Sequence, residues 1–524
     1  MDNFIITLIA LIPFILLILL IVVKKWPAIY SMPITYLLTI LILFIVWKIS
    51  PLLLAASFIK GFFIALEIML IIFFAVFFIT VLKEKRQIKK LQDILSIISE
   101  DARIQAIIIA FLFGALIEGI AGFGTPAALA APLLVSLGFA PLLAVILSLV
   151  ANSTPVSFGA AGTPILLGLG GIGLERNVLE EISKNVSLIH SIASFIVPLT
   201  LSILVIFHYE KSNKIKRIFE IIPFALFSWA IFVIPYLLAA WLIGPELPSI
   251  IAGFFSLLIV GITAHYGFLI PKYRVLVKKY KKESISFKEA AKTLSPYLII
   301  IFSLGLSRII APLKNYLKSI NINMENIMGQ DVSYTFLPFF TPSFYFLISA
   351  VLCIFIFRIS GKELKYSFKE TLNRVKYPTL ALIFAIALVQ LILVSGNNSS
   401  NLESIPLILA QTLSSLFGKS YTLIAPFVGI FGAFISGSNT LSNLLFGAFQ
   451  METAKSLGIS IVVLLSLQVV GGAVGNMIAI HNIVAAEATV GLKNQEGKII
   501  RKTIWISILY GLISGIIGLI ILSY

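Results

Sequence analysis

Residues 117–132 read IEGIAGFGTPAALAAP: one glutamate, three glycines and a Thr-Pro step. They are set within roughly thirty residues that otherwise belong in hydrocarbon. A carboxylate and an interruptible backbone are costly there, and the rest of the chain must explain them.

The chain has 524 residues, of which 59% are hydrophobic and 12% charged. Its mean hydropathy is +1.06. No soluble globular class has that composition. Runs such as 5–23, 62–82 and 186–207 are long enough to cross roughly 30 Å of hydrocarbon as helices, so the chain reads as a multi-pass α-helical membrane protein. Met1-Asp2-Asn3 lacks the basic region of a secretory signal, and Lys24-Lys25 follow the first apolar run, so that run reads as a retained helix. The single cysteine, Cys353, excludes an intrachain disulfide and a cysteine-based metal site, and no cofactor is expected.

The net charge of +16 is concentrated in 83–90, 210–217, 272–282, 358–376 and 493–502. Basic connections between spans mark the cytoplasmic side and bear on anionic headgroups, not on nucleic acid. With those loops inside, spans near 4–23, 27–48, 59–82, 186–207, 219–243, 246–265, 295–312, 341–358, 378–395 and 503–522 alternate and leave both termini outside. Segment 104–170 breaks the alternation: it is too long for one crossing and has the wrong parity for two. A re-entrant hairpin over 104–138, with its tip at GIAGFGTP, followed by a crossing interrupted at NSTPVSFGAAGTP, restores the order. The arm after the tip, about 13 residues or roughly 20 Å of helix, is too short to span alone.

Segment 404–491 repeats the arrangement, with a tip at ISGSNTLSNLL and an interrupted crossing over LGISIVVLLSLQVVGGAVGNMIAIHN, entering from the opposite face. The expected fold is therefore all-α and polytopic. It has about 12 transmembrane helices plus two re-entrant hairpins in two inverted-topology repeats, with discontinuous helices at the midplane. The whole chain, 1–524, forms one membrane domain; 104–207 and 404–491 carry the two hairpins and broken helices. Secondary transporters bind substrate and coupling ion at such breaks.

The breaks carry the expected chemistry. Thr125-Pro126, Thr154-Pro155 and Thr163-Pro164 read as helix starts, threonine capping and proline in the first turn. Their unpaired amides suit a carboxylate, and Gly122 and Gly124 allow close approach to the backbone. The alternative, proline-kinked packing helices with small residues at crossings, weakens when two such units occur as a pair. Ser153, Ser436, Ser438, Asn439, Thr440, Asn443, Asn476 and Asn482 offer hydrogen bonds to a hydroxyl or carboxylate, or else satisfy freed backbone groups. Glu118, one turn before the tip, is the candidate proton carrier, with His481 as second candidate. Glu67 and Glu487 are weaker candidates. Arg308 either offers a guanidinium to a carboxylate or snorkels, and His190 reads as a packing residue.

LIEGIAGFGTPAALAAPLLVSLGF, NSTPVSFGAAGTPI, GAFISGSNTLSNLLFGAFQ and GGAVGNMIAIHNIVAA together resemble the lactate permease family. The resemblance implies symport of L-lactate or glycolate with protons, on an inverted-repeat fold related to transporters that often form dimers. A homodimer in the plasma membrane is the corresponding expectation. It carries roles onto Glu118, Gly122, Gly124, Pro126, Ser436, Gly437, Ser438, Asn439, Asn476, His481 and Asn482. Thr125 stands where many members have alanine and Glu487 where a small or thiol residue is commoner, which leaves the substrate open. A cation/proton antiporter on this scaffold would pair acidic residues at the breaks, and an anion channel would pass current without proton coupling. An enzyme is not expected, because no nucleophile, base and orienting partner assemble.

Overall fold

The computed structural model describes residues 3–24, 26–122, 124–277 and 286–523. Phe123 of the first tip and residues 278–282 of one basic connection lie outside them. The described chain is almost wholly helical, as the composition requires, apart from a short antiparallel pair, Ile322–Met324 with Tyr334–Phe336. Twelve of its helices are long and apolar enough to cross a membrane. It is a multi-pass membrane protein.

Several basic stretches expected as loops are helical. Residues 87–97 form an amphipathic helix, and most of 358–376 belongs to the 33-residue helix Gly361–Leu393. Ser360 starts that helix with a capping box: its side chain accepts from the Glu363 amide while Glu363 reaches back to Ser360 N–H. The same carboxylate takes a 2.8 Å bond from Lys85, which with Ser360 holds its pKa down at about 2. Loop composition is a poor guide here because a helix extending beyond the bilayer favours lysine and glutamate as strongly as a loop does.

Two packing groups follow from the contacts. The 34-residue helix Pro51–Glu84 lies against Gly361–Leu393 and Pro342–Phe357, and Gly361–Leu393 also covers Ala28–Ile42. The second group contains both tips. Its first unit runs Ala102–Ala121, tip, Thr125–Ser136, then Pro141–Ala151 into a break. Its second runs Tyr421–Ser436, tip, Asn439–Leu457, then Ile461–Gly475 into a break before Ile480–Thr489. The units interlock: Asn439–Leu457 packs on the first break, and Ile480–Thr489 packs on Thr125–Ser136. In the most apolar window of Ala102–Ala121 every residue is buried, which places that helix at the centre and not against lipid.

Helices approach closely where side chains are absent. A methyl group on Gly471 would overlap the Pro426 carbonyl of the neighbouring helix Tyr421–Ser436. Gly471→Ala is therefore expected to force these helices apart and cost about 1–3 kcal/mol. A lowered thermal midpoint of the detergent-purified protein checks it, and an unchanged midpoint would contradict this packing.

Candidate functional site

The first break is built from successive backbone distortions. Pro141–Ala151 ends at Asn152, Pro155–Phe158 forms a 3₁₀ turn, and Ala160, Ala161 and Gly162 then take left-handed φ of 42°, 52° and 80°. A π-turn, Pro164–Leu169, follows. Left-handed alanine costs about 1–2 kcal/mol, so the surroundings must impose it. Gly162 is pressed on the Pro245 carbonyl, and Ala160 faces Gly122. Freed carbonyls are recovered by neighbours: Tyr236 donates to Thr154 O at 3.0 Å and Ser249 to Pro155 O at 2.7 Å. Irregular backbone at this depth is tolerated on that condition.

The Thr-Pro steps are helix or turn starts, but their threonines do not cap. Gly124, with φ of 79°, occupies the cap before Thr125–Ser136, and no side-chain cap bond forms. Thr154 hydroxyl lies 3.4 Å from Tyr510 OH, and Thr163 donates to Gly159 O at 3.2 Å. The φ > 0 needed at the turn favours glycine over threonine at the cap position. In the second unit Ser438 does cap, accepting from Leu441 N–H, and Gly437 provides the left-handed residue, φ 72°.

Between the two units lies a small, partly open cavity. Its described lining combines Glu118, Gly122, Gly124, Asn152, Gly159, Ala160 and Thr163 of the first unit with Gly437, Ser438, Asn439, Thr440, Asn476 and Asn482 of the second. Of the twelve residues expected to bind substrate, the structure gathers eight here: Gly122, Gly124, Thr163, Ser438, Asn439, Thr440, Asn476 and Asn482. The other four do not line it. Thr125 is half-buried at its helix start. Ser153 bonds Val150 O, Ser436 bonds Gly432 O and Ser438 O, and Asn443 donates to Pro164 O, bracing one unit on the other's break.

Glu118 is the one ionisable side chain in the described lining. It is 3% exposed and accepts a 3.0 Å bond from Asn152 Nδ2. Its second oxygen occupies the space a side chain on Gly159 would fill. No arginine or lysine is in that lining. His481 does not line the cavity: it is the second residue of Ile480–Thr489, exposed, with its Cβ beside Gly437. Within the second unit's wall Asn482 Nδ2 donates to Asn476 Oδ1 at 2.6 Å.

Residues 6–524 match the family described as L-lactate permease. The chain belongs to the L-lactate permease family. A Haemophilus influenzae relative with a provisional lactate-permease name is 36% identical over 79% of each chain. The L-lactate permease of Bacillus subtilis is 31% identical over 78% of this chain and 76% of its own. The glycolate permease of Escherichia coli is 30% identical over 81% and 79%. Among solved structures, the Alcanivorax borkumensis YdaH transporter covers 85% of this chain and 84% of its own at 11% identity, TM-score 0.42. The family is one of permeases, not enzymes.

Three features of this permease escape sequence reading. Asn152 is visible in NSTP, but no spacing ties it to Glu118. His190 is buried with both ring nitrogens engaged, 2.8 Å from Ser157 Oγ and 2.6 Å from Tyr510 OH, so it clamps the 3₁₀ turn. Arg308 does not snorkel: it pairs at 2.8 Å with fully buried Glu246, which also takes Arg176 at 2.9 Å. Glu67 is bound by Tyr334 of the strand pair, and Glu487 is buried; neither lines the cavity.

Proposed function

We propose that this permease carries small 2-hydroxy monocarboxylates, L-lactate or glycolate, together with a proton across the plasma membrane. The single observation that carries the reading is the cavity's charge content: one carboxyl group, Glu118, and no basic side chain in the described lining. A substrate carboxylate and an ionised Glu118 in one low-dielectric space repel, so binding the anion and binding a proton favour each other. The loaded cavity then carries one negative charge, the same as the empty cavity with Glu118 ionised, so the loaded and return movements of the hairpin-bearing units transfer equal charge, whereas the anion without a proton would leave two negative charges buried. Helix starts at Thr125 and Asn439 supply partial positive charge for the anion.

The same reading takes 104–207 and 404–491 as inverted halves with re-entrant hairpins, and both termini as extracellular. The recurrence of helix, tip, helix, helix and break in both units supports it. His481, exposed beside the second tip, fits a place on the proton's path better than a substrate contact.

Purified protein in liposomes is expected to take up labelled lactate or glycolate when the lumen is alkaline, without net current. Uptake of neither acid under that gradient would overturn the reading, and charge movement accompanying uptake would overturn one-to-one coupling.

A further inference from the structure

Asn439 is the first residue of the helix Asn439–Leu457 and borders the cavity. It is 2% exposed, and neither its Nδ2 nor its Oδ1 has a hydrogen-bond partner among the described residues. A desolvated amide with donor and acceptor both unpaired is costly and calls for an explanation. Three neighbouring polar side chains are occupied. Ser438 caps its helix, Ser442 bonds Gly429 O, and Asn443 bonds Pro164 O. The space for the amide is made by Gly472 of Ile461–Gly475, where a methyl group would overlap Asn439 Oδ1.

Resting on the function proposed above, we infer that Asn439 is the specificity-determining residue that reads the 2-hydroxyl group of the substrate. A 2-hydroxy acid presents a donor, the hydroxyl, and an acceptor, a carboxylate oxygen, on adjacent carbons. The two ends of one amide complement that pair: Oδ1 takes the hydroxyl proton and Nδ2 donates to the carboxylate. The carboxylate then also meets the first-turn amides of the same helix, which have no intrahelical acceptor. Propionate, which lacks the hydroxyl, and pyruvate, whose 2-oxo group only accepts, each leave Oδ1 unpaired. A site that leaves a buried group unpaired rejects the analogue.

The test compares lactate, propionate and pyruvate as competitors of labelled lactate uptake in liposomes holding the full-length protein. The wild type is expected to prefer lactate over both by roughly tenfold to a hundredfold. Asn439→Ala should bring the ratios to within about threefold, while uptake still follows the pH gradient. Gly472→Ala, which keeps the amide but displaces it, should lower the ratios in the same direction. Where a variant no longer transports, ligand-induced thermal shifts of the purified protein replace uptake: lactate should lose its advantage over propionate in Asn439→Ser. Wild-type preference that survives both substitutions, or its absence in a wild type that transports lactate, overturns the assignment and leaves the proposed transport intact. A wild type that transports none of the three acids overturns both.

Discussion

Glu118→Gln is expected to abolish accumulation of lactate against its gradient while leaving exchange of internal for external lactate. With one proton per substrate, a pH difference of one unit is worth about 1.4 kcal/mol and supports about tenfold accumulation. The glutamine variant should fall to an accumulation ratio of one. Glutamine preserves the shape and keeps a donor–acceptor end to meet Asn152, whose Nδ2 now donates to the carboxylate at 3.0 Å. What it removes is the exchangeable proton. It resembles the protonated acid, so an anion is admitted without a proton and the cavity stays neutral apart from the substrate. Counterflow measured at equal pH on both sides, beside gradient-driven uptake, separates the two functions. Accumulation that persists in Glu118→Gln would remove this residue from coupling and return attention to His481. Loss of exchange as well would make Glu118 a substrate contact instead.

The legibility of this site in the sequence depends on what kind of information each residue carries. Spans, tips and breaks are written in local chemistry: hydrophobic length, the glycines at 122, 124 and 437, and the Thr-Pro steps all act within a few residues of themselves. Hence the gathering of Gly122, Ser438, Asn439 and Asn476 around one cavity follows from two matching segments. Pairing at a distance is hidden. Asn152 meets Glu118 across 34 positions, and Asn443 meets Pro164 across 279. Neither amide differs in sequence from one that faces substrate. The threonines show a second limit. A Thr-Pro step marks a helix start correctly, but which residue caps it is set by φ at the turn, and Gly124 takes that place. Composition also misassigns the basic stretches 83–90 and 358–376, which run into the helices Gln87–Ile97 and Gly361–Leu393, because helices leaving the bilayer and loops draw on the same charged residues.

Glu246→Gln is expected to be the most damaging substitution for the folded state outside the cavity. Glu246 stands in Gly244-Pro245-Glu246, between the helices Lys214–Leu242 and Pro248–His265, with its side chain fully buried. Arg308 lies on Phe287–Ile309, which packs with Pro342–Phe357, whereas Arg176 and Pro248–His265 belong to the group that carries the tips. The triad therefore joins the two packing groups, directly behind Gly162 of the first break. Arg308 is held further by the Phe340 carbonyl and by the Phe340 ring, 3.6 Å from its guanidinium carbon. Removing the carboxylate leaves two guanidinium groups without their shared anion, which in a buried setting costs about 3–5 kcal/mol. Arg308→Met leaves Glu246 still paired with Arg176 and should cost less. Arg176→Met should cost least, because that side chain is 25% exposed and divides its bonds between Glu246 and Glu180. Arg308→Lys is not a conservative change, since an ammonium cannot bind Glu246, Ser307 and the Phe340 carbonyl in one plane while stacking on the ring. The order of thermal midpoints in detergent, wild type above Arg176→Met, then Arg308→Met, then Glu246→Gln, tests the triad as a unit. Equal midpoints for Glu246→Gln and wild type would mean that the pair contributes no net stability and that the two groups are held together by apolar packing alone.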